Sequence, residues 1–168
     1  MTKPSLPDAE ALLASLTAQM RAHVTAQTGL VGIVTGGAWL AERLHRDLKL
    51  EVPHGSLDIS FYRDDFQHKG LKHQVMPSAI PFEVEGRDLI LIDDVLYTGR
   101  TIRAAMNELF DYGRPASIRL AALVDRGGRE LPIAAQFVGA TLVVPEQYSV
   151  DLEQTQDGKL ELVLKSKQ

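Results

Sequence analysis

The sequence predicts an α/β domain in which helices flank a parallel sheet and a β-hairpin lies at the C-terminal end, and three observations lead to this prediction. Apolar strand patterns alternate with helical patterns through the middle of the 168-residue chain. Several of the strands are continuous apolar runs, as is typical of strands that are covered on both faces. The C-terminal region alternates with period two on both sides of TQDG, which predicts a β-hairpin centred on Asp157 and Gly158. No domain boundary is visible, so residues 1–168 are expected to form a single domain.

Helices are predicted where apolar residues recur at intervals of three or four. The first covers residues 8–27 and the second covers residues 38–48. The third covers residues 101–113, where Gly113 is expected to cap the helix and Pro115 to prevent its continuation.

Strands are predicted from apolar runs and from period-two alternation. The predicted strands cover residues 29–34, 57–63, 88–93, 117–125, 134–140, 148–154 and 159–165. The polar, poorly periodic segment RDDFQHKGLKHQ (63–74) is expected to form an exposed loop.

Composition excludes several classes of protein. The chain has no cysteine, so it has neither disulfides nor thiolate metal sites. It has no apolar run long enough for a membrane span, and its first residues lack the pattern of a secretion signal, so we expect a cytoplasmic protein with no membrane partner. The net charge of −4 is unlike that of a dedicated nucleic-acid binder, although the total charge does not exclude a local basic patch.

The segment LILIDDVLYTGRT (89–101) carries the strongest functional signal. Asp93 and Asp94 follow an apolar strand, and the next residues form a loop that opens a helix. Ligands of parallel sheets bind beyond the carboxyl ends of the strands, and a helix start offers unpaired N–H groups to a phosphate. The acidic pair suits sugar hydroxyls or a magnesium ion. The predicted ligand is therefore a ribose 5-phosphate unit.

The predicted phosphate-binding loop consists of Val95, Leu96, Tyr97, Thr98, Gly99, Arg100 and Thr101. A double aspartate after a strand is also common in an ordinary turn that caps a helix. It resembles a Walker B strand as well, but the companion G-x-x-x-x-G-K-[ST] pattern is missing from the chain. The TG and T that follow the acidic pair make the complete string far more specific than DD alone.

The same string resembles the phosphoribosyl pyrophosphate (PRPP) signature of type I phosphoribosyltransferases. With LDISFYRDD, VGIVTGGAWLAERL and VDRGGRELPI, the chain is similar to the PyrR family from about Gly29 to Gly139. That resemblance implies the type I phosphoribosyltransferase fold with a small hood. It implies the conversion of uracil and PRPP to UMP and pyrophosphate with Mg²⁺. It further implies UMP-dependent binding of pyrimidine-operon leader RNA, and a homodimer or homotetramer.

The resemblance also implies roles for individual residues. Asp93 and Asp94 would hold the ribose hydroxyls, and the loop would hold the 5′-phosphate. Pyrophosphate would be bound by Thr35, Gly36 and Gly37, with Arg63 from the predicted loop. Uracil would be bound at Val124, Asp125 and Arg126, and Mg²⁺ would contact Asp94 and Asp125. As alternatives, the predicted pyrophosphate turn could be an ordinary turn from a strand into a helix, and the predicted uracil residues could be an ordinary turn that ends a strand.

The pyrophosphate turn departs from the family pattern. Members of the family carry KTRG, whereas residues 34–37 of this chain are VTGG, so two basic side chains are missing. Each charge-assisted hydrogen bond is worth about 1.5–3 kcal/mol, so weaker PRPP binding is expected. The sequence therefore leaves two alternative functions: a nucleotide-sensing regulator with little catalysis, and a transferase for another base. The first helix carries only Arg21 and His23 as basic residues, so leader RNA is expected to bind weakly or on a face built across a dimer.

Overall fold

A computed structural model describes residues 3–59 and 78–168 of the chain. Helices in these residues are α1 (Ala9–Arg21), α2 (Gly36–Leu48) and α3 (Arg100–Phe110). The strands are β1 (Gly29–Ile33), β2 (Gly55–Leu57), β3 (Asp88–Leu96), β4 (Ser117–Asp125), β5 (Phe137–Thr141), β6 (Tyr148–Gln154) and β7 (Leu160–Ser166).

The predicted parallel sheet and hairpin are both confirmed. Within the described residues, a five-stranded sheet has the order β2-β1-β3-β4-β5 with parallel pairing, and β6 and β7 form a separate antiparallel pair. The central strand β3 continues to Leu96 because its ladder with β4 runs as far as the pair Leu96 and Asp125. Its carboxyl end therefore lies between the ends of β1 and β4, where a parallel sheet offers a ligand crevice.

The core has one apolar cluster on each side of the sheet. Ile90 and Ile92 of β3 join α1, α2 and the hairpin on one side, whereas Leu89 and Leu91 face α3 on the other. Because side chains of a strand alternate between its faces, a strand covered on both sides needs apolar residues at every position. This explains the unbroken run before the acidic pair. Each fully buried aliphatic side chain of this kind stabilises the fold by about 1.5–3 kcal/mol.

The N-terminal helix and the hairpin belong to this core. Leu16 and Met20 of α1 share the first cluster with Leu152 and Leu160 of the hairpin. The backbone N–H of Leu160 also donates to the Glu10 carboxylate at 2.9 Å. The hairpin is consequently held against the body of the domain, which gives it a defined position relative to the sheet.

Some element boundaries differ from the predictions. Helix α1 ends at Arg21, because Thr25 and Thr28 take local backbone and hydroxyl partners in the turn that follows. Helix α3 ends at Phe110 with Asp111 as its C-cap, so Gly113 does not cap it. The strand predicted over residues 57–63 shares only Leu57 with β2, and residues 60–63 lie outside the described part of the chain.

Among the described residues, no helix combines the length and the apolar character that a membrane span requires.

Candidate functional site

A cavity of about 560 Å³ lies at the carboxyl end of β3. It is formed by the acidic pair, the loop into α3, the end of β4 and the C-terminal hairpin. Its lining residues are Asp93, Asp94, Val95, Leu96, Tyr97, Thr98, Gly99, Thr101, Ile102, Arg126, Ser149, Val150, Asp151, Lys167 and Gln168. Its volume lies in the usual range for a small-molecule site.

The acidic pair is oriented by backbone donors. Asp93 is buried and accepts a hydrogen bond from the N–H of Asp94 at 2.9 Å. Asp94 accepts from the N–H of Val95 at 2.8 Å. Both residues lie within β3 rather than beyond it, since β3 continues to Leu96. Both residues therefore line the cavity, and these two bonds hold their side chains in place.

The loop that follows turns sharply into α3. Gly99 precedes the helix with φ of 92°, and a β-carbon there would lie 2.9 Å from Cγ1 of Ile133. Only glycine suits both conditions. The Thr98 hydroxyl accepts from the N–H of Arg100 at 3.2 Å. N–H groups of the first helical turn have no helical acceptor and lie at the positive end of the helix dipole, so this end of the cavity suits a phosphate.

The predicted pyrophosphate turn lies beside the acidic pair but does not line the cavity. Thr35 precedes α2, and Gly36 is its first residue. A β-carbon on Gly36 would lie 2.5 Å from Oδ2 of Asp94, and one on Gly37 would overlap the carbonyl oxygen of Ile92. The two glycines therefore allow the turn to pack directly against β3.

The residues predicted to bind uracil lie at the end of β4, and they differ in whether they line the cavity. Arg126 lines the cavity, whereas Val124 is buried in the sheet. Asp125 is engaged by protein donors: its Oδ2 pairs with Arg129 at 2.6 Å and its Oδ1 accepts from the N–H of Gly127 at 2.9 Å. Burial alone would raise the pKa of the Asp125 carboxyl, but Arg129 and the Gly127 N–H together lower it.

These contacts bear on the expected magnesium site. No cluster of three or more potential ligand side chains occurs within residues 3–59 and 78–168. Mg²⁺ commonly binds through one or two carboxylates, several waters and substrate phosphates, so a site with fewer than three protein ligands is compatible with it. Asp94 fits this arrangement because it lines the cavity, whereas both oxygens of Asp125 are engaged.

Arg126 connects the loop with the hairpin. Its guanidinium carbon lies 4.1 Å from the centre of the Tyr97 ring. The same group donates to the carbonyl oxygens of Tyr148 at 3.1 Å and Val144 at 3.3 Å. Because Arg126 is 8% exposed, these contacts are shielded from water, and they fix the hairpin over the cavity.

Sequence reasoning missed the contribution of the hairpin to the cavity. Ser149, Val150 and Asp151 of β6 line it, together with Lys167 and Gln168 of the C-terminal tail. The TQDG pattern predicts the hairpin itself, but no local signal indicates where it docks. Arg63 and the predicted loop over residues 63–74 lie outside the described residues.

Comparisons with known proteins agree with the motif. The model of the phosphoribosyl transferase domain family matches residues 5–151. A relative named Bifunctional protein PyrR, from Pseudomonas aeruginosa, is 54% identical over 153 residues, covering 88% of this chain and 89% of the relative. A relative of the same name from Pseudomonas fluorescens is 50% identical over 162 residues, covering 94% of this chain and 96% of the relative.

The fold is also similar to that of solved structures. A hypoxanthine-guanine phosphoribosyltransferase from Bacillus anthracis superposes with a TM-score of 0.67 at 20% identity, covering 85% of this chain and 86% of that one. A purine phosphoribosyltransferase from Pyrococcus horikoshii gives a TM-score of 0.61, also at 20% identity, with coverages of 80% and 82%. At this identity the superpositions concern the fold alone, and they agree with the type I architecture expected from the sequence.

Proposed function

We propose that this chain, which belongs to the PyrR family of phosphoribosyltransferase proteins, transfers the phosphoribosyl group of PRPP to uracil and also regulates pyrimidine-operon expression through leader RNA. The observation that carries the transferase proposal is that the acidic pair and the phosphate loop open into one cavity, which the hairpin covers. We propose that the ligand brings a phosphate to the loop, a sugar with free hydroxyls to the acidic pair and a base to the remaining space beside Arg126, which is the composition of a ribonucleotide.

In the proposed reaction each part of the cavity has one role. Asp93 and Asp94 accept hydrogen bonds from the ribose hydroxyls, and the start of α3 with the loop before it binds the 5′-phosphate. The base lies between the end of β4 and the hairpin, near Arg126. Binding at these three points fixes the anomeric carbon relative to the base, which converts a bimolecular encounter into a step of fixed geometry.

The chemistry is a displacement at the anomeric carbon. The bond from ribose C1 to pyrophosphate breaks, the bond from C1 to uracil N1 forms, and the N1 proton passes to the departing pyrophosphate or to water. The transition state resembles an oxocarbenium ion, as in other glycosyl transfers. Magnesium held through Asp94 and the oxygens of PRPP would neutralise charge on the leaving group. Exclusion of water by the hairpin strengthens these electrostatic contacts.

An assay of the purified protein with PRPP, Mg²⁺ and a panel of bases tests the transferase proposal. Uracil should give UMP and pyrophosphate, whereas cytosine, adenine, guanine and hypoxanthine should give little nucleotide. The Asp93→Asn, Asp94→Asn double variant is the matched control for contaminating activity. Equal or faster transfer to another base would contradict the uracil assignment, and no transfer to any base would contradict catalysis.

One observation favours a second candidate, a nucleotide sensor with little catalysis. Residues 34–37 carry no basic side chain beside the acidic pair, so pyrophosphate has only backbone and hydroxyl donors from that turn. Each missing charged hydrogen bond is worth about 1.5–3 kcal/mol. Calorimetry with UMP together with the transfer assay distinguishes the candidates, because a sensor should bind UMP tightly and yet form no UMP from uracil and PRPP.

The regulatory part of the proposal concerns leader RNA. The chain carries a net charge of −4, and α1 offers only Arg21 as a permanently charged basic residue. We therefore place RNA binding on a basic face assembled across a homodimer or homotetramer. Filter binding with pyrimidine-operon leader RNA should give UMP-dependent, salt-sensitive affinity, with sedimentation to establish the oligomer. Micromolar or weaker binding with no effect of UMP would contradict it.

A further inference from the structure

We infer that Arg129 is the positioning residue of the 5′-phosphate loop, holding the Tyr97 carbonyl outward so that the following N–H group faces the ligand. This inference rests on the proposed ribose 5-phosphate site. Arg129 follows the end of β4 and does not line the cavity. It acts on the ligand only through the backbone of the loop.

Each carbonyl oxygen from Leu96 to Gly99 accepts a hydrogen bond from another part of the protein. Leu96 O accepts from the N–H of Arg126 at 3.0 Å. Tyr97 O accepts from Nη1 of Arg129 at 2.8 Å. Thr98 O accepts from the N–H groups of residues 130 and 131, at 3.0 and 3.2 Å. Gly99 O accepts the helical bond from Arg103 at 3.0 Å.

This arrangement determines the direction of the N–H groups. In a trans peptide the C=O of one residue and the N–H of the next point in opposite directions. When carbonyls of residues 96–98 face the protein behind the loop, the N–H groups of residues 97–99 face the other side, which is the cavity lined by these residues. A row of inward N–H groups leading into a helix start is an anion-binding concavity.

Arg129 differs from the other donors to these carbonyl oxygens because it donates from its side chain. The bonds to Leu96, Thr98 and Gly99 come from backbone N–H groups, which almost any residue supplies. The bond to Tyr97 depends on a guanidinium that also donates from Nε to Ile133 O at 2.8 Å and pairs with Asp125 at 2.6 Å. The planar fork of arginine reaches all three acceptors at once, which the single ammonium of lysine does not.

The position of Arg129 is itself well defined. Its side chain is 23% exposed and its partner carboxylate is 20% exposed, so the pair is partly shielded from solvent. Asp125 belongs to β4, which pairs with β3 up to Leu96. The rigid sheet therefore anchors the guanidinium, and the guanidinium anchors the loop.

Calorimetric titration of ribose 5-phosphate, UMP and uridine into Arg129→Met tests this inference. The dissociation constants for ribose 5-phosphate and UMP should rise about tenfold, because one ordered donor of the loop is lost and the phosphate site becomes mobile. The constant for uridine, which has no phosphate, should stay within twofold. In turnover, KM for PRPP should rise more than kcat falls. Arg129→Lys should be intermediate, since it retains the charge beside Asp125.

Arg119→Met is the matched control, because Arg119 is an exposed arginine at the other end of β4. It should leave all three constants unchanged. Unchanged ribose 5-phosphate affinity in a folded Arg129→Met protein would overturn the inference and leave the proposed site standing. If Arg129→Met does not fold, unchanged affinity in Arg129→Lys has the same meaning. Failure of the unmodified protein to bind ribose 5-phosphate or UMP would overturn both the site and the inference.

Discussion

Replacement of Gly36 by alanine should weaken ligand binding without unfolding the protein. Gly36 begins α2, and a β-carbon there would lie 2.5 Å from Oδ2 and 2.9 Å from Cγ of Asp94. No real β-carbon tolerates such distances, so the carboxylate must turn away. In turning, Asp94 gives up its 2.8 Å hydrogen bond from the N–H of Val95 and its orientation toward the proposed ribose site.

The magnitude follows from these contacts. A hydrogen bond to a charged group is worth about 1.5–3 kcal/mol, which corresponds to a roughly 10- to 150-fold rise in the dissociation constant of UMP or PRPP. The cost in stability should be smaller, because the partly exposed carboxylate can regain water. Alanine also restricts the unfolded chain relative to glycine, which contributes about 0.4–1 kcal/mol in the opposite direction. We expect the free energy of unfolding to change by less than about 1 kcal/mol.

Gly37→Ala provides the contrasting variant. Its β-carbon would overlap the backbone carbonyl oxygen of Ile92, which moves only if the central strand moves. This overpacking should cost about 1–3 kcal/mol of stability. Isothermal titration with UMP and urea denaturation should therefore separate the variants, with affinity lost in Gly36→Ala and stability lost in Gly37→Ala. A dissociation constant of Gly36→Ala within twofold of the unmodified protein would refute the reasoning.

Further predictions concern the acidic pair and two titrating groups. Asp93→Asn with Asp94→Asn should abolish PRPP binding by calorimetry with an unchanged circular dichroism spectrum, because asparagine keeps the Oδ1 acceptor of each local bond; unchanged affinity would contradict the site. Burial, with His45 nearby, lowers the pKa of His54 against an opposing effect of Glu42. The stabilisation that comes from uncharged His54 is then complete above the unfolded pKa of about 6.5 and is lost as the pH falls from there through the lower folded pKa, so the urea midpoint should drop between pH 7.5 and 5.5, less so in His54→Gln.

The hydrogen bond from Arg43 lowers the pKa of Glu10. Its stabilisation is present above about pH 4.5 and is lost as the pH falls below that value, so Glu10→Gln should cost about 1–2 kcal/mol in urea at pH 7 and less at pH 3. An equal cost at both pH values would contradict this linkage.

Much of the fold was predictable because its signals are local. The apolar run before Asp93 and the helical spacing after Thr101 identify β3 and α3, and the period-two alternation around Gly158 identifies the hairpin. The least accurate predictions were element ends. Helix α1 stops at Arg21 because threonine side chains bind nearby backbone, and β3 runs on to Leu96 because β4 lies beside it. An isolated segment carries no information about such a neighbour.

The sequence by itself determined the chemistry of the proposed phosphate-binding loop, because an acidic strand end followed by a glycine-containing helix start creates its donors and acceptors within a dozen consecutive residues. Tertiary structure alone decided which distant groups support that loop. Packing placed Gly36 against Asp94, engaged Asp125 with Arg129 and set the hairpin over the cavity. These contacts join segments far apart in the chain, and their partners are selected by sheet order and side-chain packing, which no local pattern encodes.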